Sequence, residues 1–107
     1  RQNFVQFLVQ EKSYPASLIS IEVKVVYNRQ SHRSDVVVYD KEAKPFMVVE
    51  CKAPEVKITQ DVFYQAARYN SQLKAKYIVV TNGLQHFCCA MDYENGKHQF
   101  LEDIPAY

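Results

Sequence analysis

The chain has only two glycines, no tryptophan and three cysteines among 107 residues. So little glycine, with just four prolines, argues against a linker or a low-complexity tail. The cysteines, Cys51, Cys88 and Cys89, are odd in number and form no C-x-x-C pair. That excludes a disulfide scaffold and points to a reducing compartment, the cytoplasm. No apolar run approaches the ~18 residues of a membrane span, and no signal-peptide pattern is present. The first residue is Arg1 rather than Met, as expected of a piece of a longer chain. An excess of one charge sign is also missing: 13 Lys and Arg face 12 Asp and Glu, for a net charge of +1. Composition therefore gives no sign of a strongly basic nucleic-acid binder, and such a role must rest on local features.

What is present is apolar material, 48% of the residues, enough for an ordinary globular core. A chain of this length buries roughly two-thirds of its unfolded surface without metal or disulfide staples. Residues 1–107 are read as one domain. Phe4, Val5 and Leu8 fall at helical spacing within residues 2–12, and Tyr14-Pro15 ends that helix. Ile19, Ile21, Val23 and Val25 alternate with polar residues, which predicts a half-buried strand over 19–27. Residues 28–33 read as a polar loop, and Asp35 opens a β-branched run to Tyr39. A turn over 40–45 leads to a strand over 46–52, closed by Ala53-Pro54. Thr59 is placed to cap a helix to about Leu73. Residues 76–81 predict a strand buried on both faces, ending at Asn82-Gly83. The last third predicts a hairpin turning at Asn95-Gly96. The order predicts an α/β fold: a mixed sheet, with an antiparallel meander, a crossover helix and further strands, flanked by helices.

The chemistry concentrates in Asp35, Glu50 and Lys52. Glu50 and Lys52 are two apart, so a regular strand sends both side chains to one face and Met47, Val49 and Cys51 to an apolar one. If the two strands pair symmetrically about the 40–45 turn, Asp35 lies opposite Glu50. Two adjacent carboxylates repel each other, but around a divalent cation they become ligands. Mg²⁺ takes one or two carboxylates and completes its shell with water and phosphate oxygen. A neighbouring lysine can orient water or offset charge on a phosphate.

Asp35 with Glu50-Cys51-Lys52 resembles the PD-(D/E)xK nuclease superfamily. Gln65-Ala66-Ala67-Arg68-Tyr69 matches the Q-x-x-x-Y helix that follows the E-x-K strand in some of its branches. Further features resemble the N-terminal nuclease domain of type I restriction enzyme R subunits and its small stand-alone relatives. They are Tyr14-Pro15, Arg33-Ser34-Asp35, Val49 to Pro54 and Thr81-Asn82-Gly83, covering roughly residues 1–83. Ser34 stands where the superfamily name puts proline. The resemblance implies a restriction-endonuclease-like core, Mg²⁺ (with Mn²⁺ as substitute), DNA cleavage, and a translocase or other restriction-modification subunits outside this chain. Asp35, Glu50 and the Cys51 carbonyl would hold the metal, and Lys52 would activate water. Gln65 and Tyr69 would support Lys52 or the DNA backbone. Many such nucleases cut duplexes as dimers, though no pattern here names a dimer face.

Each signal has a blander counterpart. Glu22 is a candidate further acid, but a first hairpin centred near 30–31 would pair Asp35 with Val26 and leave Glu22 ~13 Å along the strand; Glu11 is equally loose. Lys24, Arg29, His32 and Arg33 form an acid-free stretch that would follow a phosphate backbone or simply be a solvated loop. Arg33 is the stronger candidate for its closeness to Asp35, and Arg68 is similar. His86 and Cys88 make a poor zinc site, and the cysteines read as core. The aromatic residues are spread through all elements and read as core rather than a base-stacking platform. A catalytically silent DNA-binding or protein-interaction module is the alternative to a DNA endonuclease, and an RNA-directed nuclease is a third reading.

Overall fold

Local sequence signals place most of the elements. The structure, a computed structural model, describes residues 1–107. Helix α1 spans Gln2–Lys12 and buries Phe4 and Leu8. A short 3-10 turn, Ala16–Leu18, leads into strands β1 (Ile19–Tyr27), β2 (Gln30–Tyr39) and β3 (Pro45–Cys51). Helix α2 is Gln60–Tyr69, followed by a 3-10 turn at Ser71–Leu73 and strands β4 (Tyr77–Thr81), β5 (His86–Asp92) and β6 (Lys97–Leu101). The strands form one six-stranded sheet in chain order. Only β3 and β4 run parallel, joined by the crossover through α2; every other neighbouring pair is antiparallel. This is the mixed α/β architecture the sequence predicts. Neither helix is long and apolar enough to cross a membrane.

The sheet is covered on both sides. Val36, Val38, Met47, Val49 and Val79 pack with Phe4 and Leu8 under α1. On the other side Ile78, Val80 and Cys89 pack with Phe63 and Ala66 of α2, and Val37 and Val48 pack with Ala75. The single apolar face expected for β3 is thus corrected: Val48 is as fully buried as Met47 and Val49, because each helix layer covers one face. Val79 and Val80 of β4 are both fully buried, facing opposite layers, as a two-sided strand requires.

Two boundaries differ most from the sequence expectation. The loop expected over 28–33 is a two-residue turn, Asn28-Arg29, with both residues at positive φ (50° and 64°). That backbone matches the twist of a tight hairpin, so β2 begins at Gln30. The first hairpin is therefore centred two residues earlier than expected. Helix α2 stops at Tyr69 rather than Leu73. The Asn70 side chain donates to the Ala66 carbonyl at 2.8 Å, taking up an end-of-helix acceptor, and Lys74 then turns through positive φ. The Thr59 cap forms as expected, its Oγ1 accepting from the Val62 N–H. So does the hairpin at Asn95-Gly96, where Gly96 takes φ +62°.

Candidate active site

The site begins where the β1–β2 ribbon loses its regularity. The register runs Ile21–Val36 and then Val23–Ser34, which leaves Glu22 and Asp35 facing each other in the gap. Glu22 sits at φ +56°, a conformation that disfavours a residue with a Cβ. Side chains change face here. Val36 packs under α1, yet Ser34, two residues earlier, is buried and donates its hydroxyl to the Asn70 side-chain oxygen at the end of α2. Val23, paired with Ser34, packs on that same side. A regular strand would keep residues 34 and 36 on one face.

On the other side of β2 the register is Val36–Val49, Val37–Val48 and Val38–Met47. One step further puts Asp35 beside Glu50, the pairing expected from the turn length. The bond there comes from a side chain: Asp35 Oδ2 accepts the Cys51 N–H at 2.7 Å. Glu50 is half-buried beside it. Burial, then the hydrogen bond and negative charge of Asp35, push the Glu50 carboxyl up to about 7, although Lys52 pulls it down. Burial and Asp35 also raise the Cys51 thiol. Lys52 lies just past β3. Its N–H donates to the Thr81 carbonyl at 2.7 Å, extending the β3–β4 ladder, and its side chain lines a cleft with Cys51, Thr81 and the start of α1.

Other candidates lie outside this group. Glu22 faces Asp35 rather than lying four residues away, which corrects the expected Val26–Asp35 pairing. Its carboxylate, however, is held by Arg1 at 2.8 Å and lies 3.8 Å from Arg33. No three His, Cys, Asp or Glu side chains gather as a metal cluster. Gln65 and Tyr69 bond to each other, Nε2 to Oη at 2.9 Å. Tyr69 stacks on His32 at 4.2 Å and meets Tyr27 edge-on. That places the Q-x-x-x-Y pair against the tip of the β1–β2 hairpin. Arg29 occupies the hairpin turn, Arg33 and Arg68 are exposed on β2 and α2, and Cys88 and Cys89 are buried core residues.

Residues around Asn82 carry a part that the sequence reading missed. Asn82 Nδ2 donates to the Val56 carbonyl, and its Oδ1 accepts from the Leu84 and Gln85 N–H groups. This knot ties the loop after Lys52 to the end of β4. Its sequence signal, Thr81-Asn82-Gly83, is read above as a strand stop and a family feature, without the tie to Val56.

The donor set fits a hard divalent cation. Two adjacent carboxylates with one backbone carbonyl supply oxygen alone, and Mg²⁺ leaves the rest of its shell to water and phosphate. The family model for the type I restriction enzyme R protein N terminus (HSDR_N) matches residues 1–105. The chain belongs to that family. As an HSDR_N domain it is similar in fold to a chain from Vibrio vulnificus described as a fragment of an HsdR subunit of a type I restriction enzyme. The TM-score is 0.65 at 22% identity over 95% of this domain. The domain spans 22% of that chain's length. No curated protein matches it.

Proposed function

We propose that this HSDR_N domain is a Mg²⁺-dependent DNA endonuclease of the PD-(D/E)xK type, working in the cytoplasm beside a translocase carried elsewhere in a restriction complex. The observation that carries the reading is the Asp35–Glu50 pair at the carboxyl end of β3, with Lys52 adjoining. Asp35, Glu50 and the Cys51 carbonyl would hold the metal. A bound Mg²⁺ would supply charge to the phosphate and lower the pKa of a water. Asp35 is fixed by the Cys51 N–H, so its remaining oxygen keeps one orientation. Glu50 gives up its proton readily near neutral pH once positive charge is at hand. Lys52, held at its backbone by Thr81, orients the attacking water and offsets charge as the phosphate becomes five-coordinate. The exposed Arg33 and Arg29 on the ribbon, and Arg68 on α2, suit contacts to a phosphate backbone.

The test is plasmid cleavage with Mg²⁺ or Mn²⁺, beside Asp35→Ala and Lys52→Ala. Each variant is expected to lose cleavage by roughly a hundredfold or more, and Asp35→Ala also to lose Mn²⁺ binding in calorimetry. Equal cleavage by wild type and both variants would sink the assignment.

A further inference from the structure

β3 and β4 run parallel, and their carboxyl ends open into one cleft, the place where α/β sheets commonly take ligands. Its volume is about 390 Å³, within the range of small-ligand sites. Phe4 and Phe7 of α1, Lys52, the buried Thr81 and the exposed His86 line it. No carboxylate lines it. Neither Lys52 nor His86 is engaged in an ion pair, whereas Arg1, also at the edge, is taken by Glu22.

His86 is held in place. Its Nδ1 bonds the Thr81 hydroxyl at 2.6 Å, and the same hydroxyl accepts the Gly83 N–H at 3.0 Å. Phe4 meets the ring edge-on at 5.3 Å, and Phe7 lies at 5.8 Å. These contacts fix the imidazole plane and leave Nε2 free to bond a ligand. Asp103, an acid that feels the charge of His86, is bound to Lys12. The cleft therefore offers two unpaired nitrogen groups with aromatic walls, directly beside Cys51 and the acid pair.

We propose that this cleft takes the nucleotide next to the bond being cut, with its flanking phosphate on His86 Nε2 and Lys52 and its sugar or base against Phe7. This rests on the nuclease reading of the neighbouring acid pair. His86 is then a substrate-contacting residue at the start of β5, on a different strand from the E-x-K.

The test uses thymidine 3′,5′-bisphosphate as probe, titrated without divalent metal into the ¹⁵N-labelled protein. Amide signals of Phe7, Lys52, Thr81, Gly83 and His86 are expected to shift together. Binding of a short fluorescent duplex, read by anisotropy in EDTA, is expected to weaken roughly tenfold in His86→Gln and also in Phe7→Leu, both checked for an unchanged fold by their amide spectra. Shifts confined to the Tyr27–His32–Tyr69 face, no shifts at all, or unchanged duplex affinity in His86→Gln would overturn the proposal. Neither readout needs cleavage. A domain that binds here but never cuts defeats the nuclease reading and leaves the cleft standing; one that cuts without shifts here defeats the cleft alone.

Discussion

The two outer ribbons of the sheet are both antiparallel hairpins, and they differ in regularity. β5–β6 pairs without interruption from Cys88–Leu101 to Asp92–Lys97, closed by a loop whose strained position is a glycine. β1–β2 skips a pair at Glu22 and Asp35 and puts non-glycine residues at positive φ at Glu22, Asn28 and Arg29. The regular ribbon puts strain where the chain has no Cβ. The irregular one places it beside the acid pair, where the change of face frees Asp35 to reach β3. Of the three, only Glu22 lies beside the acid pair, and under the nuclease reading its departure from ideal geometry serves the site.

Three measurements sharpen or break this contrast. The largest effect is expected from Ser34→Ala. It strips the buried Asn70 oxygen of its donor, at a cost of about 1–3 kcal/mol in urea unfolding. Tyr93→Phe, which removes a partly exposed bond to the Ala75 carbonyl under the other ribbon, should cost clearly less; equal costs would remove the distinction. Next, Gly96→Ala should destabilise by about 1 kcal/mol through backbone strain alone, since nothing lies within 4 Å of the added Cβ. Glu22→Gly should move stability the opposite way, and a loss there would show that the Arg1 contact outweighs the strain. The last effect concerns pH. Glu50 holds its proton more tightly folded, up to about 7, than its ordinary 4.5. Its contribution to stability is therefore full below about 4.5 and lost as pH rises to 7. The metal-free melting temperature should fall by a few degrees over that window, a slope that Glu50→Gln flattens and saturating Mg²⁺ opposes. A slope unchanged in the variant would remove Glu50 as its source.

The parts legible in the sequence are those set by neighbours along the chain. Thr59, Asn95-Gly96 and the all-apolar β4 speak through local backbone chemistry. Asp35 and Glu50 stand side by side as expected, but the turn is one residue shorter than read, and a register shift at Val38–Tyr39 restores the pairing. The Asn28-Arg29 turn was hidden because Arg29 takes positive φ without being a glycine and Asn28 alone is a weaker signal than Asn-Gly, and that one shift moved Glu22 from remote to opposite Asp35. The end of α2 depends on the Asn70 side chain, whose partners lie on α2 and on β2. His86 meets Thr81 only after β5 folds back on β4, and helical spacing says nothing about which strand Phe4 and Phe7 will face.

The hydrogen bond between Asp35 and the Cys51 N–H has a consequence for how such a domain would decay. The two acids are unequal partners in the fold. Asp35 closes the ladder between β2 and β3, so its loss orphans a donor and weakens the domain. Glu50 is a carboxylate held against its preference, and its neutral replacement relieves the pair. Under the nuclease reading proposed above, a copy released from the demand to cut is expected to shed Glu50 first and keep Asp35 as a structural relic. Among silent descendants of this domain, an intact first acid is poor evidence of activity, and the state of the second is the informative one.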